Sequence, residues 1–281
     1  MKLRIGKIPY ANLFPIFYTL EKECDCSSYE FVEGVPSILN KMLRNDEIDV
    51  SPSSSIEYLK NPSLYRIIEG HSISSQGPIE SILLFSRVPI GELNGGTIYV
   101  SSQSETSVAL LDIILREFYG IQCRLHISIN PEESEGEAFL LIGDDALKHK
   151  ARGNRQEAIG RNINKHAAYS LSPIAYSLFI YDLGELWYKK TGLPFVFALW
   201  IARREFGDKE ELLNKFIKDL NRAKEIAINN FPETARHSPM RAFMSEDEIV
   251  SYWNRIDYDL TDNHKEGLEL FDKYLRELFC Y

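Results

Sequence analysis

Apolar positions recur along this chain in two periods, and the switching between them sets out its elements. Leu3, Ile5 and Ile8 alternate with Arg4 and Lys7, the period-two pattern of a strand; residues 13–22 then change to helical spacing, with Pro15 in the first turn. Tyr10-Ala11-Asn12 is the turn between them. The same alternation predicts a short strand at 29–32, a helix over 35–44 with Val35, Ile38, Leu39, Met42 and Leu43 on one face, and a strand at 47–50. Residues 64–86 are strand-like, broken by a turn at Ser75-Gln76-Gly77-Pro78, and Ile82-Leu83-Leu84-Phe85 is apolar enough for burial on both faces. A strand at 97–100 leads into a helix reaching Phe118, closed by Gly120, and a second buried strand occupies 137–142. A helix opening at Asp182-Leu183-Gly184-Glu185 ends at Gly192, before the apolar run Phe195 to Ile201. From Asp208 onward the spacing is helical over 208–230, 245–256 and 261–279.

Alternating strands and helices predict α/β layers. At 281 residues the chain suits two lobes. The strong apolar strands near residues 86 and 195 are the expected crossings of a double hinge, giving a discontinuous first lobe of residues 1–86 plus 196–281 and a second lobe of 87–195. Residues 150–172 fit the alternation poorly; an amphipathic helix from about Arg155 to Ala168 is the reading their spacing allows.

Composition narrows the function. With 44% hydrophobic and 26% charged residues, no window approaches the roughly 18 apolar residues of a membrane helix. Lys7, Pro9 and Asn12 interrupt the first residues too early for a signal-peptide core, so a cytoplasmic protein without a membrane partner is expected. A net charge of −9 argues against a nucleic-acid partner, which would need a basic surface. Cys24, Cys26, Cys123 and Cys280 are too scattered for a disulfide framework, and the six histidines form no i, i+4 pair, so a metal site is not expected. The chain lacks a P-loop, a Gly-x-Gly-x-x-Gly run and a nucleophile elbow.

Two strand-to-helix junctions carry the sharpest chemistry. Ser51-Pro52-Ser53-Ser54-Ser55 and Ser101-Ser102-Gln103-Ser104-Glu105-Thr106-Ser107 crowd hydroxyls where helix starts offer unpaired N–H groups, a setting suited to carboxylates or phosphates. Ser54-x-x-Glu57 and Ser102-x-x-Glu105 read as capping boxes, but one hydroxyl satisfies a cap and the rest are surplus. Asn12, on the first strand-to-helix turn, can donate to a ligand oxygen and accept from a ligand hydroxyl. Asp144 and Asp145 sit where acids favour a helix start, a structural use that competes with a catalytic one.

Taken in order, Gly6-Lys7-Ile8-Pro9-Tyr10-Ala11-Asn12, Glu33-Gly34-Val35-Pro36, Asp49 to Tyr58, Ser81 to Ser86, Ser102-Gln103-Ser104, Leu141 to Leu147, and Tyr181 to Trp187 with Thr191 to Phe195 resemble the MqnA family, the chorismate dehydratases of the futalosine route to menaquinone. The resemblance runs through about residue 204. It implies a two-lobed fold like type 2 periplasmic binding proteins with C-terminal helices, no cofactor, and conversion of the dianion chorismate to 3-[(1-carboxyvinyl)oxy]benzoate and water. It points to Asn12 as the catalytic residue and to Ser53, Ser54, Ser81, Ser102, Gln103, Ser104 and Asp144 as substrate contacts. Ala11 stands where the family carries a larger apolar residue, and residues 150–180 form a longer link than is usual there. Two alternatives predict different features. The related 1,4-dihydroxy-6-naphthoate synthase would carry a Pro- and Cys-containing motif near the first strand, where this chain has Lys7-Ile8-Pro9-Tyr10, and an aromatic-acid sensor would bind chorismate unchanged.

Overall fold

The computed structural model describes residues 2–163, 178–205 and 207–279. The chain begins with β1 (Leu3–Lys7), α1 (Phe14–Glu23), β2 (Tyr29–Glu33), α2 (Pro36–Arg44), β3 (Val50–Ser54), α3 (Ser55–Lys60) and β4 (Tyr65–Ser75). It continues through β5 (Ile82–Ser86), β6 (Thr97–Ser101), α4 (Glu105–Ile113), β7 (Arg124–Ser128), β8 (Ala138–Ile142), α5 (Gly143–Ile163), β9 (Phe179–Asp182) and α6 (Leu183–Thr191). It ends with β10 (Phe195–Arg203), α7 (Glu210–Asn229), α8 (Phe231–Ala235), α9 (Glu246–Trp253) and α10 (Asp262–Phe279).

Two five-stranded sheets result, ordered β2-β1-β3-β10-β4 and β7-β6-β8-β5-β9. Each has a parallel half: β1 lies between β2 and β3, and β6 between β7 and β8. Each also receives one strand antiparallel to both of its neighbours: β10 between β3 and β4, and β5 between β8 and β9. The strand Ile82–Ser86, read from sequence as the end of the first lobe, therefore belongs to the second sheet, and the first crossing falls at residues 76–81.

Both crossings are pinned. The Asp182 carboxylate caps α6 through the Glu185 N–H at 3.1 Å and reaches across to the N–H groups of Ile79 at 3.1 Å and Glu80 at 2.6 Å. Three donors on one acid fix the first crossing even though Glu80 has a left-handed φ of 63°. At the second crossing a Cβ on Gly267 of α10 would lie 2.1 Å from the Pro194 carbonyl oxygen, so only glycine lets the last helix approach so closely. There Trp187, fully buried, meets Phe118, Phe195, Phe271 and Tyr274 and joins α6, β10 and α10 in one aromatic joint.

Several elements differ from their sequence pattern. The strand expected at 47–50 begins at Val50 and runs through the serines to Ser54. β1 pairs with β3 only at Ile5–Val50, so β3 is no longer flanked on both sides at Pro52, where a missing N–H is tolerated. On α2 it is Asn40 that turns inward with Leu39 and Leu43, while Ile38 is exposed. The edge strand β7 lacks an inward alternation, with Ile127 exposed, and neither it nor β9 nor the one-turn α8 is marked by periodicity. α5 continues unbroken from Gly143 to Ile163; residues 164–168 of the helix expected at 155–168 lie outside the described residues, as does part of the long 150–180 link.

Candidate active site

The carboxyl ends of β1, β3 and β8 and the helix start after β6 converge between the sheets, where α/β folds place their ligands. A cavity of about 70 Å³ lies there, walled by the β1–α1 turn, Ser54, Ser81, Ser104 and Ser107, and floored by apolar side chains such as Ile73, Ile142 and Phe197. Ligand pockets usually begin near roughly 300 Å³. The lobes are therefore drawn together. A larger open hollow of about 620 Å³ between Gln76 and α9 lies away from these strand ends.

Of the residues expected from sequence, Asn12, Ser54, Ser81 and Ser104 share this wall. Asn12 Oδ1 is buried without a hydrogen-bond partner among the described residues. The Asn12 carbonyl accepts from the Tyr258 hydroxyl at 2.9 Å and the neighbouring Ala11 carbonyl from Trp253 Nε1 at 2.8 Å, so the C-terminal helices hold the turn that presents the Asn12 amide. Ser54 is the N-cap of α3, yet its side chain makes no capping bond; Ser54 Oγ instead accepts from Asn40 Nδ2 at 2.8 Å. Glu57, the other half of the expected box, is taken up by Arg44 and the Tyr65 hydroxyl. In the second junction the cap is Ser104 rather than Ser102: Ser104 Oγ accepts from the Ser107 N–H at 3.3 Å and lies 3.1 Å from Ser107 Oγ. Ser107, which lines the cavity beside it, was visible in the sequence only as surplus hydroxyl.

The other four expected contacts stand elsewhere. Ser53 is buried in β3 with Oγ unpartnered, off the cavity wall. Ser102 is exposed and opens onto a separate groove. Gln103 Oε1 accepts from the Tyr10 hydroxyl, and an Asp144 oxygen accepts from the Ala11 N–H at 2.9 Å. Both are ties between the β1–α1 turn of one lobe and the other lobe. The helix starts also tie to one another: the Ile56 N–H at the start of α3 donates to Thr106 Oγ1 of α4 at 3.1 Å, and Lys60 pairs with Glu105 at 2.7 Å. Helix N–H groups expected to face a ligand are thus partly spent closing the lobes, and side-chain hydroxyls face the cavity instead.

Tyr10 is the one titratable side chain among the lining residues described. Burial, with Asp145 and Asp144 adding to it, pushes its phenol well above the ordinary value, so it stays neutral. Burial also raises Asp144. Gly143, at φ 56°, brings the end of β8 against the Tyr10 ring, where an added Cβ would sit 3.3 Å from a ring carbon. Among the described residues no three His, Cys, Asp or Glu side chains gather as a metal site. No helix among them is long and apolar enough to cross a membrane. The arrangement offers hydroxyl and amide donors in a largely apolar chamber, with no carboxylate, imidazole or ammonium among the lining residues described.

Comparison with known proteins agrees with this geometry. A family model described as menaquinone biosynthesis matches residues 3–277. The chorismate dehydratase of Thermus thermophilus is 28% identical over 273 residues, 96% of this chain and 94% of that protein. That of Campylobacter jejuni is 28% identical over 233 residues, covering 82% and 80%. Among solved structures, a protein of Archaeoglobus fulgidus superposes with a TM-score of 0.76 at 17% identity, covering 100% of this chain and 98% of that one. The periplasmic aliphatic sulphonate binding protein of Escherichia coli does so at 0.63 and 13% identity, covering 98% and 87%. At such identities the structures speak for the fold alone, which is the periplasmic-binding-protein-like fold implied by the sequence motifs.

Proposed function

Because the chain belongs to the menaquinone-biosynthesis family, matched from residue 3 to 277, we infer that it is a chorismate dehydratase, a hydro-lyase of menaquinone biosynthesis by the futalosine route. The observation that carries the reading into this chain's own chemistry is the cavity wall, where Asn12, Ser54, Ser81, Ser104 and Ser107 stand together with no carboxylate, imidazole or ammonium among the lining residues described. A dianion with a ring hydroxyl suits such a wall. Hydroxyl and amide donors bind carboxylates, and a largely apolar surround strengthens each of those bonds.

Chorismate needs little from a catalyst beyond position and charge stabilisation. Its C3–H is conjugated through a ring double bond to the ring carboxylate, so loss of that proton gives a delocalised anion. The anion expels the C4 hydroxyl, the C4–O bond breaks, and the ring becomes aromatic. The leaving hydroxide takes up the proton removed from C3 and departs as water, giving 3-[(1-carboxyvinyl)oxy]benzoate. With no protein base on the wall, the substrate's own enolpyruvyl carboxylate is the acceptor for the C3 proton, held by the Asn12 amide. Asn12 Oδ1, which lacks a protein donor, takes the C4 hydroxyl. Ser54 and the Ser104–Ser107 pair hold carboxylates from opposite lobes, and Ser81 seats the ring. Tyr10, Gln103, Thr106 and Asp144 keep the chamber closed, which excludes water from the carbanion.

The test is direct. Purified chain mixed with chorismate should abolish the ring-diene absorbance and yield the enolpyruvyl-oxybenzoate by mass spectrometry. Chorismate bound and recovered unchanged would overturn the reading.

A further inference from the structure

We propose that Asn40, on α2 and outside the cavity wall, is a positioning residue that makes Ser54 a dedicated hydrogen-bond donor to substrate. The deduction rests on the reading of the cavity as a chorismate site. A serine hydroxyl has one hydrogen to give and two lone pairs to accept with. As N-cap of α3, Ser54 would ordinarily spend its oxygen on a helix N–H, but it makes no such bond. Its oxygen is engaged instead by Asn40 Nδ2 at 2.8 Å, in a buried contact. No acceptor for the Ser54 hydrogen lies among the described residues, and the side of Ser54 left open is the cavity wall. The hydrogen is thereby directed at whatever oxygen the cavity holds.

Asn40 is an odd residue for its position. It lies on the buried face of α2 between Leu39 and Leu43, only 8% exposed, and its Oδ1 has no partner among the described residues. A polar side chain buried with half its bonding capacity unused weakens a fold. Its one side-chain hydrogen bond among the described residues is the one to Ser54, and Pro36, one turn earlier on the same helix, touches the cavity. α2 thus reaches the substrate through Ser54. The ligand group served is a carboxylate oxygen, because the Ser54 hydrogen is uncommitted among the described residues while one of its lone pairs is already engaged by Asn40.

Both carboxylates already carry full charge in the bound substrate, before the ring carboxylate shares the carbanion's charge or the enolpyruvyl one takes the C3 proton, so loss of the aim of Ser54 shows first in binding. Asn40→Leu should raise KM for chorismate about fivefold or more while kcat stays within about twofold. In a Ser54→Ala background the same substitution should change KM less than twofold, since the group it orients is gone. Calorimetric binding of 3-[(1-carboxyvinyl)oxy]benzoate, which needs no turnover, should show the same dependence. Asn40→Met provides the same cycle if the leucine variant does not fold. Equal losses in both backgrounds, or a fall in kcat with KM unchanged, would overturn the role of Asn40. A wild-type chain that binds the benzoate with this cycle intact yet leaves chorismate unchanged would instead strike the assigned reaction.

Discussion

At the scale of single residues, the site is built from side chains whose bonds are deliberately incomplete. Among the described residues Asn12 has an unpartnered carbonyl oxygen and Ser54 an unclaimed hydrogen, both at one wall. In the proposed mechanism Asn12→Ala removes the amide that holds the proton-accepting carboxylate, and kcat should drop about 100-fold, the loss typical of one preorganised polar group; following the diene absorbance checks this. Asp144 makes a prediction in pH. Burial raises its pKa above the ordinary 3.8, so the folded chain holds this proton more tightly than the unfolded one. Its contribution to stability is complete below 3.8 and declines as pH rises through the folded value. Asp144→Asn keeps an acceptor for the Ala11 N–H without the charge and should melt about 2 °C above wild type at pH 7, with the gain gone in melts at pH 3.5. Asn12, Ser54, Ser81 and Ser104 were legible from the motifs they belong to. Gln103 and Asp144, expected at the substrate, bond the β1–α1 turn in this structure, since a polar side chain at a mouth can serve the ligand or the closure, and sequence does not separate the two.

At the scale of elements, the period of the apolar residues identified most strands and helices, and it failed where burial does not alternate. β7 leaves Ile127 exposed at a sheet edge, and β9 carries Phe179 and Ile180 about half exposed, so neither presents one clean face. β3 defeated the pattern differently: all five of its residues are buried although four are Ser or Pro, since β10 covers one edge and Ser54 at the end of the strand faces the cavity. The base of the first sheet is secured by charge. Asp49, at the entry to β3, binds Arg4 of β1 at 2.6 Å and Lys209 before α7 at 2.7 Å. Burial alone would raise its pKa, but the bonds to Arg4 and Lys209 outweigh it and hold the carboxyl below 3.8. That stability is present above 3.8 and lost as pH falls through the folded value. Asp49→Ala strands two partly buried cations and should cost about 3 kcal/mol at pH 7 by urea titration, and the difference should shrink below pH 4.

At the scale of the whole molecule, two sheets joined by two crossings meet over a chamber of about 70 Å³. Substrate must enter by separation of the lobes, against the Tyr10–Gln103, Ala11–Asp144 and Ile56–Thr106 bonds. In small-angle scattering, Tyr10→Phe with Thr106→Val should have a larger radius of gyration than wild type, and saturating 3-[(1-carboxyvinyl)oxy]benzoate should reduce the difference. Equal radii without ligand would show that these bonds do not govern closure. The exchange of strands between the sheets also has a consequence for synthesis. All five strands of the second sheet lie in one stretch, from β5 to β9, and can pair as soon as residue 182 has left the ribosome. The first sheet cannot. β4 is made early but has no neighbour until β10 slides between it and β3, more than 100 residues later. The amino-terminal half of the protein must wait, with one edge of its serine-lined strand unpaired, for the carboxy-terminal half to finish it.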